Sequence, residues 1–93
     1  MNFGDALELA KQGKKVARSG WNGKGMFVFY QRSCEIHAQD IRSDVLRKWL
    51  FDNKMSWVQI RGHLDMKDAQ GEVVIGWLAS QTDMLAEDWE VVE

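Results

Sequence analysis

The 93-residue chain contains no proline, so its eight glycines are the only strong punctuation. It has one cysteine, Cys34. No intramolecular disulfide can form, nothing calls for an oxidising compartment, and a lone cysteine reads as a small buried hydrophobe. No run of ~18 apolar residues and no signal-peptide pattern occur, so neither a membrane association nor a secretory route is expected. Basic charge is not in excess: 12 Lys and Arg against 14 Asp and Glu give a net charge of −2. That excludes a general binder of nucleic-acid polymers, which needs a basic surface to displace counterions. It does not exclude a small anion held by local donors.

Histidine is also scarce, with His37 and His63 alone. Cys34-x-x-His37 and the same-face pair His63 and Asp65 fall short of the ligand set a structural zinc ion requires, so solvated side chains are expected and no metal. No GxSxG, HExxH or phosphate-loop pattern is present. Asp83, Glu87 and Asp88 offer carboxylates for acid–base work, but helix capping and the helix dipole explain them better. No catalytic residue, cofactor or enzymatic activity is expected.

What the chain does have is 45% hydrophobic residues and five tryptophans. Its length suits one domain spanning 1–93. A monomer of this size buries only ~60–65% of the surface its unfolded chain exposes. Five large indoles exceed what one small core holds, which points to shared cores between subunits or to stacking surfaces.

The pattern along the chain predicts an α+β fold: a small antiparallel β-sheet with an N-terminal helix, a middle helix and a short C-terminal helical turn. Asn2 caps a helix that carries Phe3, Ala6, Leu7 and Ala10 on one face and stops at Gly13. Residues 15–31 read as a β-hairpin, with Asn22-Gly23 as a two-residue turn and Trp21 at the bend. Ile41, Val45, Leu46, Trp49 and Leu50 recur at helical spacing. Their apolar face reads as core, with Asp40 or Ser43 as cap and Asn53 as terminator. Residues 56–68 read as one strand and Asp68–Gly71 as a turn. "EVVIGWL" reads as the returning strand and "WEVVE" as an edge strand. Ser80 with Asp83 three residues on is a capping-box pattern.

The stretch "WLASQTDMLAEDW" combines an indole, Trp77, with donors and acceptors at Ser80, Gln81, Thr82 and Asp83. An indole face, a polar rim and a helix start suit a nucleotide-like molecule. Core packing of Trp77 and capping by Ser80 account for the same residues. "GWNGKG" is a tight turn or a place where a ligand approaches the backbone.

"MNFGDALELAKQGKKVARSGWNGKGMFVFY" and "GHLDMKDAQGEVVIGWLASQTDMLAEDWEVV" resemble a family of small phage and prophage proteins, the second type of Thoeris anti-defence protein. The two blocks cover about two thirds of the chain. "GWNGKGM" followed by "WLASQTDMLAEDW" is their specific signature. Residues 31–58 depart from the pattern, with a predicted helix in place of a longer, proline-containing loop.

The resemblance implies a sponge in the cytoplasm of the host bacterium. It binds and sequesters glycocyclic ADP-ribose, the signal of a TIR-domain sensor, and in some members cyclic dinucleotides at separate pockets, without cleaving them. It also implies a homotetramer with pockets between protomers. Carried onto this chain, the pocket wall is Trp21, Asn22, Met26, Trp77, Ser80, Gln81, Thr82 and Asp83. The phosphates of such a ligand would meet the glycine-rich turn, the N–H groups near Ser80 to Thr82, and a cation such as Arg18, Lys24 or Arg61. Asp83 then belongs on a ribose hydroxyl or at the cap of its own helical turn.

Overall fold

A computed structural model describes all residues from Met1 to Glu93. In chain order the elements are α1 (Phe3–Lys11), β1 (Lys15–Arg18), β2 (Phe27–Gln31), β3 (Cys34–His37), a 3₁₀ turn (Ala38–Asp40), α2 (Asp44–Asp52), β4 (Trp57–Ile60), β5 (His63–Lys67), β6 (Val73–Ile75), α3 (Gln81–Leu85) and β7 (Trp89–Val92). They fall into two compact units. One holds Met1–Gln31 and His63–Glu93, the other Arg32–Gly62.

The first unit is a five-stranded sheet in the order β6-β5-β2-β1-β7, every neighbouring pair antiparallel. Side chains alternate between the faces of a strand. Val28 therefore lies opposite Val16 on one face, while Phe27 and Phe29 point to the other. The first face receives α1. The Asn2 side chain accepts the N–H of Asp5 at 2.8 Å and starts the helix. Ala6 and Ala10, one turn apart and fully buried, lie against Val16, Val28 and Trp89 to form the core. Small side chains at this spacing bring the helix axis close to the sheet. Gly13, at φ 96°, takes the left-handed turn that ends it.

The other face of the sheet bears a cavity of ≈ 390 Å³ lined by Lys15, Phe27, Phe29, Tyr30, Lys67 and Val73, with Gly13 at its margin. At the far edge, β6 ends at Gly76, at φ 85°. The Gly76 N–H donates to Asp65 at 2.8 Å. Asp65 is fully buried, also accepts from Gln31, and has Nε2 of His63 at 3.3 Å. His63 and Asp65 thus share a strand face, as the alternation predicts.

The second unit pairs β3 with β4 antiparallel and carries α2. The Ser43 hydroxyl accepts the Leu46 N–H at 3.2 Å, so Ser43 and not Asp40 caps the helix. Asn53 closes it, as expected.

Several sequence expectations are corrected. Asn22-Gly23 is not a two-residue hairpin turn. Such a turn needs φ > 0 at the first or at both central residues, and here only Gly25 in that loop has it, at 73°. Residues 19–26 form a longer connection instead. Residues 56–68 are two strands in different sheets, divided at Arg61-Gly62. The apolar face of the middle helix is only partly core. Ile41 and Leu50 are buried, but Val45 is 82% exposed and Trp49 47%. Cys34, expected to be buried, is exposed on β3, a strand the sequence pattern did not suggest.

Leu50 is the largest fully buried aliphatic side chain. Leu50→Ala is expected to destabilise the protein by about 2–5 kcal/mol, the range for truncating a buried leucine. Urea unfolding followed by circular dichroism measures it, with Val45→Ala as a control that leaves stability within about 0.5 kcal/mol.

Candidate functional site

The two signature stretches meet around a single guanidinium. Arg18 ends β1, where its side chain reaches α3 and the segment between α3 and β7. Its Nε donates to Asp88 Oδ1 at 2.8 Å and its Nη1 to Asp83 Oδ1 at 2.8 Å. The other Asp88 oxygen accepts the Gly20 N–H at 2.8 Å. A Cβ at Gly20 would sit 2.6 Å from that oxygen, so the close approach requires glycine. The Trp21 indole N–H donates to Asp83 Oδ1 at 3.2 Å. The Trp89 indole N–H donates to the Asp83 carbonyl at 2.9 Å. Residues more than sixty positions apart are thereby held in one network.

Asp83 also completes the capping box. Its N–H donates to Ser80 Oγ at 3.0 Å, and its Oδ2 accepts the Ser80 N–H at 3.3 Å. Burial pushes the Asp83 carboxyl up, but the hydrogen bonds from Arg18, Trp21 and Ser80 outweigh it and hold the group below the usual carboxylate range. Hydrogen bonding from Arg18 is the main cause of the same lowering at Asp88. The two carboxylates, Asp88 foremost, in turn raise the Arg18 guanidinium.

Over this network lies an aromatic cluster. Trp89, 2% exposed, is its centre. Its ring centroid is 5.3 Å from those of Phe3 and Trp21 and 6.2 Å from that of Trp77. Trp77 closes the group at 6.3 Å from Trp21 and 6.4 Å from Phe3. Most of the pairs meet edge to face, the arrangement the ring quadrupoles favour.

The eight residues expected to wall a pocket therefore divide. Trp21, Trp77, Ser80 and Asp83 come together. Trp21, Trp77 and Asp83 are half-buried, and both indoles pack against the core. Asn22, Gln81 and Thr82 are exposed at the rim. Met26 folds back over Gly23, where a Cβ would overlap its sulfur. Gly23 has no positive φ. Sequence reasoning missed Phe3, Asp88 and Trp89 as members of this group, and Gly20 as the residue that lets Asp88 in. It offered Arg18, beside Lys24 and Arg61, as a cation for ligand phosphates, whereas two of the three Arg18 nitrogens are committed to protein carboxylates. The cavity lies elsewhere, on the Phe27 and Phe29 face. There Lys15 and Lys67 stand 5.1 and 5.6 Å from the Phe27 ring centre.

Residues 1–92 match the family described as the Thoeris anti-defense 2-like domain. The chain is also similar to a protein of Bacillus phage SP01 named Thoeris anti-defense 2. The two are 40% identical over 95 residues, 99% of this chain and 94% of the phage protein. The chain belongs to this family. Within the Thoeris anti-defense 2-like domain, both signature stretches lie in the first structural unit. The Arg18 network joins them directly. No helix is long and apolar enough to cross a membrane.

Carboxylates with lowered folded-state pKa stabilise the fold above their unfolded value, and that contribution is lost as pH falls through the folded one. Stability that rests on Asp83 and Asp88 is therefore expected to be intact at pH 5 and above and to decline below about pH 4. Denaturant midpoints between pH 3 and 7 test this. The Arg18→Met variant should show a shallower acid limb than the parent.

Proposed function

We propose that this protein, by virtue of its family, blocks a bacterial immune response by binding and sequestering a cyclic nucleotide signal without cleaving it. Glycocyclic ADP-ribose is the foremost candidate ligand, with cyclic dinucleotides as further ones, and the host cytoplasm is the place of action. The observation that carries the reading is the meeting of the two family signatures. Trp21 and Trp77 stand 6.3 Å apart, half-buried, beside exposed hydrogen-bonding side chains. A purine can stack on the open part of such an indole pair while its ribose and phosphates take hydrogen bonds from the rim.

In this proposal the wall comprises Trp21, Asn22, Met26, Trp77, Ser80, Gln81, Thr82 and Asp83. The capping box uses the N–H groups of Ser80 and Asp83, and Arg18 is bonded to two carboxylates. Polar contacts then fall to the side chains of Asn22, Gln81 and Thr82. Asp83 shapes the wall from its cap and carries no phosphate. Residues 1–93 act as one signal-binding domain, assembled as a homotetramer whose pockets are completed by neighbouring protomers.

Incubation with glycocyclic ADP-ribose followed by heat denaturation should return the signal intact on chromatography; an altered signal would make the protein an enzyme instead. Calorimetry should show Gln81→Ala with Asn22→Ala binding about fivefold or more weakly at an unchanged melting temperature, because both side chains are exposed. Trp77→Ala should weaken binding by about 1–3 kcal/mol. Affinity should fall less than about tenfold between about 50 and 500 mM salt, because contacts from buried and neutral groups are poorly screened.

Light scattering behind a sizing column should give about four chains per particle. A clean monomer would leave the tryptophans without the oligomeric role proposed for them.

A further inference from the structure

The two edges of the five-stranded sheet differ. β7 is closed where it begins. The Trp89 N–H donates to the Met1 carbonyl at 3.1 Å, and the Met1 amine donates to the Trp89 carbonyl at 2.8 Å. β6 has β5 as its single neighbour. Its three residues are Val73, Val74 and Ile75, exposed by 50%, 50% and 64%. Folded proteins protect open edges with charge, proline or a covering element. This strand has no charge and no proline.

The direction of the backbone groups follows from the ladder. The Leu64 carbonyl accepts the Trp77 N–H at 2.7 Å, and the Asp68 N–H donates to the Glu72 carbonyl at 2.8 Å. Leu64 and Asp68 thus turn their backbone polar groups toward β6, and by alternation so does Met66, which pairs with Val74. Val74 then faces β5. The N–H and C=O of Val73 and Ile75 point outward, four groups at the open edge.

We infer that β6 pairs antiparallel with β6 of a second copy of this chain, about a two-fold axis at Val74. In that register Val73 of each copy lies opposite Ile75 of the other. Each such pair exchanges two N–H···O=C bonds, so all four outward groups of each strand are satisfied. Val74 meets its own counterpart as the close, non-hydrogen-bonded pair. β-branched side chains face each other on both sides of the joined sheet, and cross-strand side-chain contacts of this kind stabilise strand pairing. The acidic Glu72 comes opposite Gly76, so no charge meets a like charge. Shifting the axis to Ile75 would set Val73 against Trp77, whose N–H already serves Leu64, and would forfeit bonds. Leu78, 89% exposed just beyond the strand, widens the apolar surface. An isologous contact of this kind is the commonest way identical chains associate.

This inference deepens the proposed assembly by naming one of its interfaces. It also bears on the proposed pocket. With Glu72 opposite Gly76, the Asp68–Gly71 turn of the second copy comes up beside Trp77, so the signature wall is extended by a neighbouring chain.

A cross-strand disulfide tests the register. The Cα atoms of a non-hydrogen-bonded antiparallel pair lie about 4.5 Å apart, within reach of a disulfide. With Cys34→Ser as background, Val74→Cys oxidised with copper–phenanthroline should give a covalent dimer that reductant reverses. Glu72→Cys, offset from its counterpart, should stay uncrosslinked under the same conditions. Val74→Lys should halve the number of chains per particle seen by light scattering. The inference is overturned if Val74→Cys gives no covalent dimer, if Glu72→Cys crosslinks as fast, or if Val74→Lys leaves the particle size unchanged. Calorimetry with glycocyclic ADP-ribose separates this from the functional proposal. A crosslinked Val74→Cys dimer that binds no signal refutes the function alone, and signal binding without crosslinking refutes the interface alone.

Discussion

One guanidinium, shared between two carboxylates, sets the geometry of the signature region. Arg18 leaves the end of β1 and meets Asp83, in the first turn of the short helix α3, and Asp88, just before β7. Each carboxylate then passes the constraint on. Asp88 holds the backbone of the loop after β1 through Gly20, and Asp83 holds the Trp21 ring and the first turn of α3. The side chains concerned are largely shielded from solvent, with 14–31% of their area exposed. In such surroundings a removed partner leaves a charge poorly solvated, so the three groups stand or fall together. The orientation of Trp21, and through it of Trp77, is fixed by a polar network and not by apolar packing alone.

Much of the local structure was legible in the sequence because local chemistry decides it. Asn2 caps α1, and Ser80 and Asp83 form the expected reciprocal box. The Asp68–Gly71 turn closes with an N–H donated from Gly71 to the Asp68 carbonyl. Each of these rests on residues within four positions of one another. What failed depends on partners far along the chain. Whether residues 56–68 make one strand or two is decided by which neighbours they find, β3 for one part and β2 for the other. The apolar stripe of α2 looked like core because periodicity reports a face, not what covers it. Val45 and Trp49 remain exposed. Trp77 packs in the aromatic cluster and is half-buried, in line with its reading as core.

The site was legible as a set of residue types and less so as roles. Glycines 20 and 23 both lie under a close side chain, Asp88 and Met26, and neither serves a two-residue hairpin turn. Arg18 read as a free cation because a single chain position shows no sign of two acids about seventy residues away. Asp83 read either as a ribose acceptor or as a cap, and the structure gives its oxygens to Arg18, Trp21 and Ser80. In this member of the Thoeris anti-defense 2-like family, both signature stretches converge on the same network.

The aromatic cluster also divides the five tryptophans into two optical populations. Trp21, Trp77 and Trp89 stand with ring centroids 5.3 to 6.3 Å apart, in fixed and mostly edge-on orientations. Transitions of indoles held so close couple to one another and exchange excitation, which gives a circular dichroism signal that vanishes once the rings can reorient. Trp49 and Trp57, 47% and 43% exposed in the other unit, emit from a wetter and redder environment. The chain therefore carries an intrinsic two-colour report, in which coupled dichroism follows the signature region and red-edge emission follows residues 32–62.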